Sequence, residues 1–465
     1  MSLSDLHNFI DYLKTENELS RVTAEVDPVL EIAAITDRVC KQPEGGRALL
    51  FEQPCGSGFA VATNLFGSIR RVCLALGVER LEQLTERMSR LLDHIPGPAL
   101  NNLDRRIAEL PEFAAFAPRP VGCNPDLVTM ERPDLTRFPF LQSWPQDGSA
   151  DGFGRYITLP LVFTADADCG HANCGMYRCQ LRGPDTLAIR WKDGSGAAMH
   201  LEGYRKEGKP MPVAIALGGP PAATFCAMFP LPGNLDEMTF AGFLGGAALE
   251  MAPCRTVPLH VPAGVELVIE GYVESGETVL EGPFGNHTGC YSPAGEAALM
   301  RVTCIRHRSD AIIPATVVGP PPMEDCWMGK AWERILCAFL QRLVPEVADI
   351  HLPLEWMFHQ SGIVSLVNPQ PGMVRDTAER LWALPWFSQA RLLVFVDAND
   401  EVSGLHRAAW RAINLADFDG GVFFDDTGRR MALDATGCRS SGKLLKPDEG
   451  IVRLVESRWK EYGIN

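Results

Sequence analysis

No CxxC pair occurs among the fourteen cysteines of this sequence. That removes the commonest spacing of zinc sites and thiol redox motifs. Cys169, Cys174 and Cys179 follow one another at intervals of five, which fits neither. A chain of 465 residues has no need of a disulfide-stapled scaffold, so the thiols read as structural and reduced. No apolar run approaches the roughly 20 residues of a membrane span. The opening Met-Ser-Leu-Ser-Asp-Leu has no basic segment followed by an apolar one, so a cytoplasmic protein without a secretion signal is expected. Positive charge is in deficit. A formal net charge of −15 repels nucleic acid and anionic membranes and excludes both as partners. It does not exclude an anionic substrate, because the local charge of a pocket decides that. Long like-charged polar stretches, internal repeats and low-complexity segments are also missing, so extended disorder is not expected.

What is present is the composition of a core-forming protein, 46% hydrophobic and 22% charged, long enough for two to four domains. Residues 1–40 read as helical. Leu6, Phe9, Ile10 and Leu13 share one face, with Ser2 and Asp5 in capping-box order before them. Ala48–Phe51 has strand character, and Leu81, Leu84, Met88, Leu91 and Leu92 form a second helical stripe. The Ala-, Pro- and Gly-rich stretch Phe113–Pro125 reads as a linker or domain edge. Short β-prone segments follow at Ile157–Thr164, Leu187–Trp191, Pro212–Leu217 and Glu266–Glu274, which suggests a barrel or sandwich. In the last of them Leu267, Ile269, Gly271 and Val273 alternate with Glu266, Val268, Glu270 and Tyr272, a partly amphipathic pattern. From about residue 320 the pattern changes. A long helix is expected at Trp327–Leu343, then buried strands at Gly362–Val367 and Leu392–Val396 flanking a helix at Val374–Trp386. That alternation predicts an α/β segment with parallel pairing.

Four clusters carry chemical potential. In Asn173-Cys-Gly-Met-Tyr-Arg178, Asn offers a neutral oxygen ligand and Arg a planar fork for carboxylate or phosphate. Read alone, both are ordinary surface residues. Leu187-Ala-Ile-Arg-Trp-Lys192 followed by Asp193-Gly-Ser-Gly196 is a strand ending in a Gly-rich turn. It can turn backbone N–H groups to a phosphate or serve as a hairpin loop. Glu237 is open to two readings, a first-turn acid of a helix or a metal ligand. The loop Glu281-Gly-Pro-Phe-Gly285-Asn286-His287-Thr-Gly289 follows a β-prone strand and suits the holding of side chains against a ligand, although a plain Gly/Pro turn has the same look.

In this order the segments resemble the UbiD family of reversible decarboxylases, whose members carry an Asn-x-x-x-x-Arg segment and a Glu-Gly-Pro-Phe-Gly-acid loop. The likeness runs along nearly the whole chain, through Val26-Asp-Pro, Asn64-Leu-Phe-Gly67, Trp144-Pro145, the Pro320–Lys330 segment and Leu433-Asp-Ala-Thr436. It implies a mixed α/β fold: an N-terminal α/β domain over residues 1–117, a central split-β-barrel-like cofactor-binding domain over 118–318, its last strands on the N-terminal domain, and a C-terminal α/β oligomerisation domain over 319–465. It implies a carboxy-lyase using prenylated FMN supplied by a separate flavin prenyltransferase. It implies a divalent metal, Mn2+ or Mg2+, between protein and cofactor phosphate, often with K+. The substrate would be an aromatic or other unsaturated acid losing CO2, and the chain a homo-oligomer, dimer or hexamer.

Carried over residue by residue, Asn173 and Glu237 match the metal ligands, both presenting oxygen to a hard cation. Met176, Tyr177 and Arg178, then Arg190, Trp191 and Lys192, then Ser195 and Gly196 match the cofactor-contacting segments. Arg178 and Glu281 match two members of a Glu-Arg-acid catalytic network. The third position, the proton donor, falls on Asn286. An amide cannot act as a general acid, and the metal-binding His that many members carry after the second segment is absent. Loss of a general acid slows turnover by about 10^2–10^4-fold without forbidding it. A phenolic or quinone-precursor acid, whose own ring carries charge, is therefore favoured over a cinnamic one. A non-catalytic or auxiliary subunit, or a carboxylase component, is the alternative.

Overall fold

The structure is a computed structural model that describes residues 3–97, 102–168, 170–233, 235–398, 404–416, 419–437, 445 and 447–463. Ser2, Cys169 and parts of the C-terminal segment lie outside the described residues. The chain divides into two compact units, residues 1–343 with 354–358, and residues 344–353 with 359–465. No helix among the described residues is long and apolar enough to cross a membrane.

The first unit opens with the helix Leu6–Thr15, which buries Leu6, Phe9, Ile10 and Leu13 as their spacing predicts. Its cap is Asp5, whose carboxylate accepts the Asn8 N–H at 2.8 Å, a local bond that satisfies one orphan donor of the first turn. Residues 1–40 are not helical throughout. Leu19–Val26 is a strand, and a helix resumes at Glu31–Cys40. The strand lies at a sheet edge with only Val26 buried, so no apolar alternation announced it. It runs parallel to Ala48–Pro54, and the four-stranded sheet is completed by Ala60–Thr63 and by Ile312–Pro314 from far along the chain.

A nine-stranded antiparallel sheet makes the centre of this unit. Its long strands Val265–Glu281 and Gly295–Arg308 pair along most of their length, with Met211–Gly218 on the other side of the first. Leu267, Ile269, Val213, Ile215 and Leu217 are fully buried in one core. The opposite face is covered too, which the alternation of Val265–Glu281 does not suggest. Glu266 and Glu270 have no exposed surface. Each is held by a partner, His7 at 3.0 Å and Arg306 at 3.0 Å respectively, as buried charge requires. The stretch Phe113–Pro125 is more than a linker. Phe113 is buried, and Arg119–Pro120 pairs parallel with Glu250–Pro253. The helix Glu324–Leu343 closes the unit.

The second unit contains a five-stranded sheet in the order Val347–His351, Ser361–Leu366, Leu392–Asp397, Met431–Asp434, Val422–Phe424. Ser361–Leu366 and Leu392–Asp397 are parallel. The helix Met373–Ala383 connects them and buries Val374, Ala378, Leu381 and Trp382. Near the end, the helix Glu449–Ser457 buries none of its side chains and leaves Ile451, Val452 and Leu454 exposed.

Candidate active site

The segment Asn173–Arg178 links two features. At its end, Arg178 stands just before the strand Cys179–Leu181, and Glu281 ends the long strand Val265–Glu281. The two meet as a fork, Arg178 Nε donating to Glu281 Oε1 at 2.7 Å and Nη2 to Oε2 at 2.8 Å. Arg190 Nη1 donates to Oε2 at 3.3 Å and to the Pro293 carbonyl at 2.9 Å. Glu281 has no exposed surface. Such a carboxylate is tolerable only because two cations and directional bonds replace its water. Below the fork, Phe284 lies 4.8 Å from the Arg178 guanidinium carbon, and Tyr156 packs on Phe284 with ring centroids 4.8 Å apart.

The turn after Glu281 needs glycine, since Gly282 has φ of +94°. Asp147 ties this loop down. Its carboxylate accepts the N–H of Gly285 at 2.8 Å, and those of Trp144 at 2.9 Å and Ser143 at 3.2 Å. Burial pushes its pKa up, while these bonds and Arg178 pull the other way. Asn286 is used by its own loop. Its Nδ2 donates to Ser292 Oγ at 2.8 Å, and its Oδ1 accepts from Thr288 N at 2.9 Å and Thr288 Oγ1 at 2.6 Å. Burial, then the charge of Lys192, lowers the pKa of His287.

The other feature is a cavity of about 350 Å3 whose wall includes Asn173, Met176, Tyr177, Lys192, Ser195, Gly196 and Glu237. The Gly-Ser-Gly turn is not a hairpin loop. Ser195 caps the 12-residue helix Gly196–Glu207, so that helix starts at the cavity wall. Gly196 has no room for a side chain, since an added Cβ would lie 2.1 Å from Asn173 Oδ1. Glu237 is the first-turn acid of its helix, as one of the two readings has it, but it is not the cap. The cap of Glu237–Gly245 is Asp236, which accepts the Thr239 N–H at 2.6 Å. Glu237 instead turns back to accept the Cys174 N–H at 3.0 Å. It keeps some surface toward the cavity, but its carboxyl lies deep among protein atoms. Burial pushes its pKa up to about 8. Beside it, Asn173 Nδ2 is buried and makes no hydrogen bond of good geometry among the described residues, although the Tyr177 hydroxyl lies close by.

Arg178, Arg190, Glu281 and Asn286 are not on the wall of that cavity, and neither is Trp191. Trp191 packs edge-on to Tyr177 at 5.1 Å and borders a different cavity of about 610 Å3. Sequence reading missed Asp147 and Tyr156. It named the neighbouring Trp144-Pro145 pair, and that was the available signal for Asp147. His171 and His200 line the 350 Å3 cavity; His200 Nδ1 pairs with Thr164 Oγ1 at 2.9 Å. Among the described residues no three His, Cys, Asp or Glu side chains cluster as a metal site.

Three family models cover the chain: the 3-octaprenyl-4-hydroxybenzoate carboxy-lyase N-terminal domain over residues 10–91, the Rift-related domain over 117–321 and the C-terminal domain over 326–445. The chain is a member of the UbiD family. It is 39% identical to an uncharacterized protein of Archaeoglobus fulgidus and 34% identical to one of Synechocystis, covering 99% of this chain each time and 99% and 96% of the relatives. Among solved structures it resembles vanillic acid decarboxylase of Sedimentibacter hydroxybenzoicus in its closed form, with a TM-score of 0.84 and 25% identity over 99% of both chains. It also resembles an evolved dimeric form of the UbiD-class enzyme HmfF from Pelotomaculum thermopropionicum in complex with prFMN, with a TM-score of 0.81, 26% identity, and coverage of 98% and 100%. The UbiD fold therefore spans the whole chain.

Proposed function

We propose that this UbiD protein is a carboxy-lyase that removes CO2 from an aromatic or other unsaturated acid with prenylated FMN and a divalent metal. The observation that carries the reading is the Arg178–Glu281 fork joined through one six-residue segment to a cavity with unspent polar groups. The buried Asn173 amide, the Glu237 carboxyl raised chiefly by burial and the helix start at Gly196 fit a phosphate held by a hard cation. Asn173 Oδ1 and Glu237 would hold Mn2+ or Mg2+, both presenting oxygen to a hard cation. Met176, Tyr177, Arg190, Trp191, Lys192, Ser195 and Gly196 would hold the flavin. The HmfF relative in complex with prFMN supports the cofactor, and vanillic acid decarboxylase supports an aromatic acid.

When bound, prenylated FMN supplies the electron sink that loss of CO2 from an sp2 carbon demands. The chain's own residues do the rest. Arg178 holds the substrate carboxylate with N–H groups that Glu281 leaves free, a directional and charge-assisted contact. Glu281 fixes the plane of Arg178 and moves the proton, with His287 or a bound water as further sources. Asn286 braces the loop in place of an acid. That absence favours a phenolic or quinone-precursor acid, and is also the observation that favours the auxiliary-subunit reading. We further propose a homo-oligomer, built in part on the exposed Ile451–Leu454 face. The experiment is co-expression with a flavin prenyltransferase, followed by the absorption spectrum and metal content of the purified protein. A flavin chromophore with about one divalent ion per chain is expected. A colourless, metal-free protein that cannot be reconstituted overturns the reading.

A further inference from the structure

Tyr156 is only 1% exposed, and its buried hydroxyl makes no hydrogen bond of good geometry among the described residues, although Glu281 lies close enough to act on it as an acceptor. Buried polar groups are rarely left so, and each exception asks for a reason. A phenylalanine would fill the same space against Phe284 without stranding a hydroxyl. The placement of this ring narrows the reason. Tyr156–Ile157 pairs antiparallel with Cys179–Leu181, the strand entered directly from Arg178. Phe284, on which Tyr156 packs, also lies under the Arg178 guanidinium. The charged groups that face the phenol are Glu281, Arg178 and Asp147. Asp147 is occupied by three backbone N–H groups, and Arg178 only donates.

Glu281 has room for one more donor. An ionised carboxylate accepts about four hydrogen bonds. Here Oε1 receives one, from Arg178, and Oε2 receives two, from Arg178 and Arg190. We propose that Tyr156 is a positioning residue of this site: its hydroxyl donates to Glu281 and helps keep that carboxylate in place while Arg178, still held by it, engages a substrate carboxylate. The inference rests on the proposed role of Arg178 and Glu281 in decarboxylation. In the resting protein, burial and the charge of Glu281 both push the phenol pKa up, so the hydroxyl keeps its proton and remains a donor.

The test uses holoenzyme labelled with 13C at tyrosine Cζ, of which the chain has seven. The signal missing from Tyr156→Phe identifies Tyr156. That signal should move in Glu281→Gln, and adding benzoate as a carboxylate probe should move it further. In turnover, Tyr156→Phe should lower kcat about tenfold with KM within twofold. Losing a donor disfavours an ionised carboxylate, so the acid limb of its kcat/KM profile should move to higher pH. Tyr156→Leu, which removes the ring as well, should add a loss of melting temperature that Tyr156→Phe does not show. A Tyr156 signal identical in wild type and Glu281→Gln overturns the proposal. So does a Tyr156→Phe enzyme with an unchanged pH profile. If the wild type releases CO2 from no acid, the functional reading fails on its own, and the resonance still decides whether Tyr156 serves Glu281.

Discussion

Replacing Glu237 by Gln separates a metal ligand from a helix-terminal acid by sign, not only by size. Without a cation, burial holds the Glu237 carboxyl protonated up to about pH 8, against 4.5 for a free glutamate. Between those values the folded chain binds more protons than the unfolded one. Stability therefore falls as pH rises from about 4.5 to 8, and is level above that. At 1.36 kcal/mol per unit, the cost at pH 8 is about 3–5 kcal/mol for the metal-free protein. Gln has the same shape and no charge to bury. Metal-free Glu237→Gln should therefore melt higher than metal-free wild type at pH 8, by about 3 °C or more, and equal it near pH 5. A first-turn acid predicts the reverse, a loss of about 0.3–1 kcal/mol in the variant. The assay is thermal melting in chelator at both pH values, with Mn2+ titration calorimetry in two buffers. Mn2+ binding to wild type at pH 7 should release about one proton, because the carboxyl must ionise to act as a ligand, and the variant should bind weakly without release. A variant that melts lower than wild type at pH 8 and binds Mn2+ equally well would refute the reasoning.

Arg178→Ala should lower CO2 release by at least about 10^3-fold, because it removes the substrate anchor and strands the buried Glu281; a melting curve, expected to drop, accompanies the rate. Asn286→Asp should raise turnover only below about pH 6. Thr288 N–H and Oγ–H point at this side chain and would hold the new carboxylate ionised near neutrality, so a large gain at pH 7.5 would show that the loop rearranges. Ile451→Asp with Leu454→Asp should convert the proposed homo-oligomer to the 50.9 kDa chain in light scattering, whereas an unchanged assembly would place the interface elsewhere.

The regular elements were legible where a residue's neighbours in sequence decide its surroundings. The stripe Leu6, Phe9, Ile10, Leu13 became one buried helix face, and the Ser361–Leu366 and Leu392–Asp397 strands paired parallel as expected. Long-range pairing was not legible from pattern. Glu266 and Glu270 looked like the wet face of an amphipathic strand, yet His7 and Arg306, 259 and 36 residues away, allow them to be buried. Asp236 and Glu237 are adjacent acids at one helix start, and only the fold decides which caps it and which turns to the cavity. The segments around Arg178 and Glu281 stood out through resemblance, while Asp147 and Tyr156 did not. Asp147 acts across 138 residues on a backbone N–H, which leaves no trace in periodicity.

The most direct test is CO2 release from a panel of aromatic acids by protein co-expressed with a flavin prenyltransferase and carrying both flavin and metal. Phenolic acids should lead the panel, with release above the cofactor-only background for at least one and none from Arg178→Ala. Fully loaded protein that releases no CO2 from any acid tested, or an Arg178→Ala variant as active as wild type, would contradict the account.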